Sequence, residues 1–208
     1  IFLISDIAFI PLEVLAVTLI IDRMLEARER KLRLEKLNMV IGTFFSALGT
    51  PLLAMLARAD PELKAIGPVP AGAGTAVNEQ FVQVKSCLAG NQCRVVAERL
   101  DLVALRDLLN HNEEFLLRII ENPMVFEHES FTDLILAVTH LGEELRARES
   151  LVSLPPSDIA HLEGDIHRVY TRAVPAWIGY MEYLRTTYPY LFSLALRKNP
   201  FDPSASVV

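Results

Sequence analysis

The first 21 residues, IFLISDIAFIPLEVLAVTLII, are apolar apart from Ser5, Asp6, Glu13 and Thr18. At a helical rise of about 1.5 Å per residue, such a run matches a hydrocarbon core of roughly 30 Å. The two acids and Pro11 oppose a span, since a carboxylate at mid-bilayer costs about 2.5–3.5 kcal/mol on insertion scales. Asp6 and Glu13 lie seven residues apart, so on a helix they share one face and can point together at a neighbouring helix. No small-residue cleavage site follows the run, which excludes an ordinary cleavable signal. The chain opens at Ile1 without a methionine and is read as a fragment or a trimmed chain. The run is expected to form a membrane-associated helix, with a buried or interfacial helix as the alternative.

Residues 22–36, DRMLEARERKLRLEK, place six basic and four acidic side chains directly after it. The basic excess fits the cytoplasmic side under the positive-inside rule, so the expectation is a membrane protein with its helical domain in the cytoplasm. Glu26/Arg30 and Glu29/Arg33 have the favourable i,i+4 order of an exposed helix. Beyond this arm, Leu34, Leu37, Ile41, Phe44 and Leu48 alternate three and four apart, a seam for packing another helix.

Downstream, Thr50-Pro51 reads as an N-cap and first helical residue, restarting a helix to about Arg58. Asp60-Pro61 interrupts, and the Gly/Pro-rich stretch near Gly67–Thr75 reads as a linker. It lacks the Gly-Lys-Ser/Thr ending of a phosphate loop. Helices are expected near 77–89, 91–99, 101–110 and 112–121, with Asp101 and Asn112 as caps. A longer helix starts at Ser130 with Asp133 as partner, and another runs from Ser157 or Asp158 to about Thr187, kinked at Pro175. A last apolar helix covers about Tyr188–Arg197, ended by Asn199-Pro-Phe-Asp-Pro203. No period-two strand pattern occurs. The fold class is therefore all-α: a helical bundle preceded by an N-terminal apolar helix and a charged helical arm. The expected division is 1–66 for helix and arm, 67–76 for the linker and 77–208 for the bundle.

Ser5-Asp-Ile-Ala-Phe-Ile-Pro-Leu-Glu13, the charged helix after it, and Tyr188-Pro-Tyr-Leu-Phe-Ser-Leu-Ala195 together resemble a group of uncharacterised prokaryotic proteins. That resemblance implies an N-terminal membrane anchor and a helical C-terminal domain, and it implies no chemistry.

A net charge of −6 argues against nucleic-acid binding, which needs a concentrated basic surface. Cys87 and Cys93, the only cysteines, are too sparse for a zinc site and are read as free, partly buried thiols rather than a disulfide.

Chemistry concentrates in two matched segments, His140-Leu-Gly-Glu-Glu144 and His161-Leu-Glu-Gly-Asp165. Positions i and i+4 share a helix face, so His140 stacks with Glu144 and His161 with Asp165. A turn centred near Val152 makes the two helices antiparallel neighbours. Counting outward from that turn sets Glu144 level with His161, and His140 level with Asp165. Two imidazoles and two carboxylates suit zinc, iron or manganese. The order His-x-x-x-acid is not the Glu-x-x-His of di-iron bundles, nor the His-x-x-x-His of a hemerythrin-like site. Direct His–carboxylate hydrogen bonds are expected instead of a metal. His128 is a possible extra ligand or a surface histidine, Glu163/His167 a solvent-side pair, and His111 a loop residue. Trp177, Tyr180, Tyr183, Tyr188 and Tyr190 form an aromatic cluster, read as core with a ligand pocket as the alternative.

No nucleophile elbow, cysteine–histidine signature or nucleotide motif accompanies these residues. The leading reading is a membrane-anchored, non-enzymatic helical module for protein–protein interaction or self-association, with no cofactor. Its partners are the membrane, through residues 1–21, and another protein or a second copy of the chain. The alternative is a metal-binding helical domain using His140, Glu144, His161 and Asp165, with Zn, Fe or Mn as the ion.

Overall fold

The computed structural model describes residues 2–62, 74–90, 94–202 and 205, with the backbone alone for 2–13, 74–78, 80 and 88. Every described element is helical, as the hydrophobic periodicity requires. The chain forms two compact units, Ile1–Met39 and Val40–Val208.

In the first unit a single helix, α1 (Phe2–Phe44), runs unbroken from the apolar run through the charged arm. Pro11 does not interrupt it. The Asp6 and Glu13 side chains, expected on one face, lie outside the described residues. Every side chain from Val14 to Leu34 is exposed. Over Val14–Ile21 the helix is apolar on all sides, and the Thr18 hydroxyl donates to the Val14 carbonyl at 2.8 Å. In the charged stretch Glu29–Arg33 closes at 3.2 Å and Lys31–Glu35 at 4.0 Å.

The second unit begins with the end of α1. Ile41, Phe44 and Leu48 of the expected seam are buried, whereas Leu34 remains half exposed. The helix expected from Thr50-Pro51 to about Arg58 is present, but Thr50 is itself helical rather than an N-cap and no break precedes it. A π-helical turn at Phe45–Gly49 carries α1 directly into α2 (Thr50–Arg58). The Thr50 N–H donates five residues back, to the Phe45 carbonyl, just before Pro51, which has no N–H to offer. The widened turn thus absorbs the proline without breaking the rod. Residues 40–58 consequently belong with the bundle, although their place in the sequence put them in the 1–66 arm. Of the linker read at 67–76, residues 67–73 lie outside the described residues, and Gly74–Ala76 already open α3 (Gly74–Ala89).

At the end of α2 the Asp60 side chain is fully buried, and its Oδ1 accepts from the Glu62 N–H at 3.0 Å. Burial, and next the Asp60 carboxylate, hold the Tyr170 hydroxyl well above the usual phenol range. The helix expected over 91–99 is not one. Residues 94–96 are irregular, and a 3-10 turn covers Ala97–Arg99, while 91–93 lie outside the described residues. Cys87 is disulfide-bonded rather than a free thiol; Cys93 lies outside the described residues.

Next come α4 (Leu102–His111), α5 (Glu113–Ile120), α6 (Pro123–Phe126), α7 (Glu129–Arg146), α8 (Pro156–Thr187) and α9 (Pro189–Leu196). Asp101 caps α4 as expected, accepting from the Ala104 N–H at 2.9 Å. Asn112 holds the N-cap position of α5 as expected but makes no side-chain cap hydrogen bond there; its amide donates back to the Leu108 carbonyl of α4 at 2.9 Å. His111 is the last residue of α4, not a loop residue. Neither Ser157 nor Asp158 caps α8, which starts at Pro156, where the missing N–H is harmless. It continues through Pro175 to Thr187.

The centre of the unit is the α7–α8 pair. Leu134, Val138, Leu141 and Leu145 of α7 are fully buried, as are Leu162, Ile166, Val169 and Val174 of α8. Phe44 meets Phe131 edge-on at 5.7 Å, and Phe45 stacks on Tyr180 at 5.7 Å. Trp177 packs edge-on against Phe81 and Phe201. Trp177 is thus core and Tyr180 half-buried, while Tyr188 and Tyr190 are exposed. A cavity of about 320 Å³ lies between Phe45, Pro51, Tyr180, Leu184, Leu191 and Leu194.

Glycines separate two kinds of position. A Cβ at Gly49 would lie 2.5 Å from Phe45 Cδ1 and 2.7 Å from Phe44 Cε1, both rings being buried. A Cβ at Gly164 in α8 would meet nothing within 4 Å. Gly49→Ala is therefore expected to destabilise by about 1–3 kcal/mol through overpacking. Gly164→Ala should stabilise by about 0.5–1 kcal/mol through helix propensity. Thermal melts of the two variants followed by circular dichroism check both signs; equal melting temperatures would refute the assignment.

Candidate functional site

The two His-Leu segments occupy facing turns of α7 and α8. His140 and Glu144 are four apart on α7, and His161 and Asp165 four apart on α8. All four side chains converge. His140 Nε2 lies 4.0 Å from Glu144 Oε1 and 3.7 Å from Asp165 Oδ2. His161 Nε2 lies 3.5 Å from Glu144 Oε2 and 3.4 Å from Asp165 Oδ2. His140 therefore sits level with Asp165 and His161 with Glu144, and the pairing fixes α7 and α8 as antiparallel.

The expected direct hydrogen bonds are a different matter. The four separations exceed the usual 2.7–3.2 Å for N–H···O, and Asp165 Oδ2 accepts no hydrogen bond although it is buried. The reason lies in two arginines that the two-segment pattern does not include. Arg148 Nη1 donates to Glu144 Oε2 at 2.8 Å, and Arg168 Nη1 donates to Asp165 Oδ1. A guanidinium is a stronger partner for a carboxylate than a neutral imidazole, so it takes the short contact. Both were visible in the sequence as spacings, Glu144/Arg148 at i,i+4 and Asp165/Arg168 at i,i+3. Arg148 also reaches Asp158 Oδ2 at 3.6 Å, tying the start of α8 to the end of α7.

Burial is graded across the cluster. The Asp165 side chain is 3% exposed and Glu144 27%, whereas His140 and His161 are 45% and 53% exposed. The imidazoles thus form the solvent side of the cluster and Asp165 its floor. The hydrogen bond from Arg148 holds the Glu144 carboxyl below its ordinary value of 4.5. Burial opposes this, and the charges of Arg148, His161 and His140 reinforce it.

The remaining histidines stand apart from this arrangement. His128 is the N-cap of α7, its Nδ1 accepting from the Phe131 N–H at 3.4 Å and facing the Ser130 hydroxyl at 3.1 Å. The helix accordingly starts at Glu129, one residue before the expected Ser130. Glu163 does not pair with His167. It accepts from the Ala97 N–H at 3.3 Å and pairs with Arg94 at 3.3 Å, pinning the 94–97 segment to α8.

Two family profiles match the sequence. One, described as "Uncharacterized protein MJ1433, C-terminal helical domain", covers residues 33–197. The other, "MJ1433, N-terminal helical domain", covers residues 1–25. Uncharacterized protein MJ1433 of Methanocaldococcus jannaschii is 45% identical over 201 residues, which is 97% of this chain and 81% of that relative. No solved structure matches.

Arg148→Ala should let the Glu144 pKa rise toward its ordinary value, read by carbon NMR of the Glu144 carboxyl in an acid titration. A depressed folded-state pKa contributes stability above the unfolded value, and that contribution is lost as pH falls through the folded value. The wild-type advantage in melting temperature should accordingly be largest near neutrality and shrink in acid. An advantage independent of pH would show that Arg148 acts through packing.

Proposed function

This chain belongs to the MJ1433 family, and we propose that its N-terminal helical domain is a membrane anchor and its C-terminal domain a cytoplasmic module for protein–protein interaction or self-association. The observation that carries this reading is the exposed, all-round apolar surface of α1 from Val14 to Ile21. A helix without a polar face has no stable place in water; it belongs in a protein core or a bilayer. From Phe2 to Ile21 it is about 30 Å long, the thickness of a hydrocarbon core. Helical hydrogen bonding satisfies its backbone, and Thr18 returns its hydroxyl to the helix, both of which hydrocarbon demands.

Among the described residues one helix, Val14–Arg58, is long and apolar enough to span by length and composition. Half of its most apolar window is buried, and a soluble core helix meets the same criterion. The exposure of Val14–Ile21 is therefore the more specific support. The basic excess over residues 22–36 favours the cytoplasmic side for the C-terminal domain.

Interaction is supported by α9. Its sequence, PYLFSLAL, is strongly apolar, yet it buries none of its residues, and Tyr190 is 71% exposed. An exposed apolar helix of this kind is a surface for another chain.

Flotation of the full chain with phospholipid vesicles tests the anchor. It should float with them and resist extraction by high salt and alkaline carbonate. Deleting residues 1–21 should leave the chain in the soluble fraction with its remaining helical circular dichroism. A full chain that stays soluble without detergent and does not float would disprove the anchor.

A further inference from the structure

We propose that His140, Glu144 and Asp165 hold one divalent cation of the zinc class between α7 and α8, with His161 beside it as the fourth ligand once the ion draws it in. The support comes first from the spacing. In a tetrahedral site with bonds of about 2.0–2.1 Å, neighbouring ligand atoms lie about 3.3–3.4 Å apart, since a tetrahedron's edge is about 1.63 times its centre-to-corner distance. The cluster's nitrogen–oxygen separations are 3.4, 3.5, 3.7 and 4.0 Å. They are long for hydrogen bonds, and those of His140 Nε2 from Asp165 Oδ2 and Glu144 Oε1, 3.7 and 4.0 Å, are somewhat longer than tetrahedral edges. The relevant atoms of His140, Glu144 and Asp165 also lie within 4.8 Å of one another.

A second, independent observation is Asp165 Oδ2. It is buried, accepts no hydrogen bond and faces both imidazoles. A carboxylate oxygen held in this state lacks a partner that a cation would supply. Arg168 on Oδ1 leaves Oδ2 turned to the histidines, as an outer partner orients a ligating carboxylate. Arg148 likewise fixes Glu144 through Oε2 and leaves Oε1 toward His140.

The donor set selects the ion. Imidazole nitrogen together with carboxylate oxygen suits an ion of the zinc class. Ligands come from both helices, so the ion would cross-link α7 and α8 beside the turn that joins them.

The test uses the full chain in detergent, stripped with EDTA and then titrated separately with Zn²⁺ and Co²⁺. One equivalent should bind per chain, Zn²⁺ should raise the melting temperature, and Co²⁺ should give the intense visible bands of a four-coordinate ion. His140→Ala and His161→Ala change half-exposed residues and should keep the helical circular dichroism while losing the Zn²⁺-dependent rise. His111→Ala, outside the cluster, should retain it. Asp165→Asn probes the buried ligand, and the two histidine variants decide the matter if it does not fold. Absence of saturable binding, binding unchanged in the histidine variants, or the pale spectrum of six-coordinate Co²⁺ would each overturn the site.

Discussion

The second unit depends on the burial of one antiparallel helix pair. The α7–α8 contact removes Leu134, Val138, Leu141 and Leu145 from water together with Leu162, Ile166, Val169 and Val174. Each such side chain contributes about 1.5–3 kcal/mol on burial. The rest of the unit is arranged around this pair. Phe44 reaches it through Phe131, Phe45 through Tyr180, and the 94–97 segment through Glu163. Because the ridge of apolar residues fixes the helix register, it also fixes which polar residues stand opposite one another at the solvent edge. The meeting of His140 with Asp165, and of His161 with Glu144, is thus a consequence of core packing.

The same constraint explains why the N-terminal segment divides where it does. α1 is one continuous rod, but its environment changes along its length. Val14–Leu34 is exposed, whereas Ile41, Phe44, Phe45 and Leu48 are core. A glycine- and proline-rich stretch is the usual sign of a boundary, and it drew the expected division to residues 67–76. The signal for the earlier division was also present in the sequence. Apolar residues at 41, 44, 48, 52 and 56 keep one stripe across Thr50-Pro51, so the stripe survives a residue pair that normally ends one. The π turn makes this possible by shifting the hydrogen-bond ladder one residue before the proline. Gly49 is the residue that lets Phe44 and Phe45 close over that turn.

Charge at the cluster is set by competition. Two guanidiniums and two imidazoles surround two carboxylates, and the guanidiniums win the short contacts because they are permanently charged and carry several donors. The imidazoles are left at distances too long for a strong hydrogen bond. This leaves a buried acceptor, Asp165 Oδ2, beside two half-exposed imidazoles. The arrangement is polar, open on one side and rigid on the other, since each of the two helices is anchored by its own apolar stripe.

The sequence by itself determined the helical class, the apolar anchor-like run, the charged arm and the facing of the two His-Leu segments. These follow from local periodicities of 3.6 residues and from counting outward from one short turn, neither of which needs long-range information. Only the tertiary structure decided three further points. It assigned residues 40–58 to the core, because burial depends on what the distant α7 and α8 offer as a surface. It made His128 the N-cap of α7, because a cap is chosen by backbone geometry rather than residue type. And it separated the histidines from their carboxylates, because Arg148 and Arg168 take the short contacts once the helices pack. Spacing can bring groups to one level; which of them touch depends on the competition among all charges gathered there.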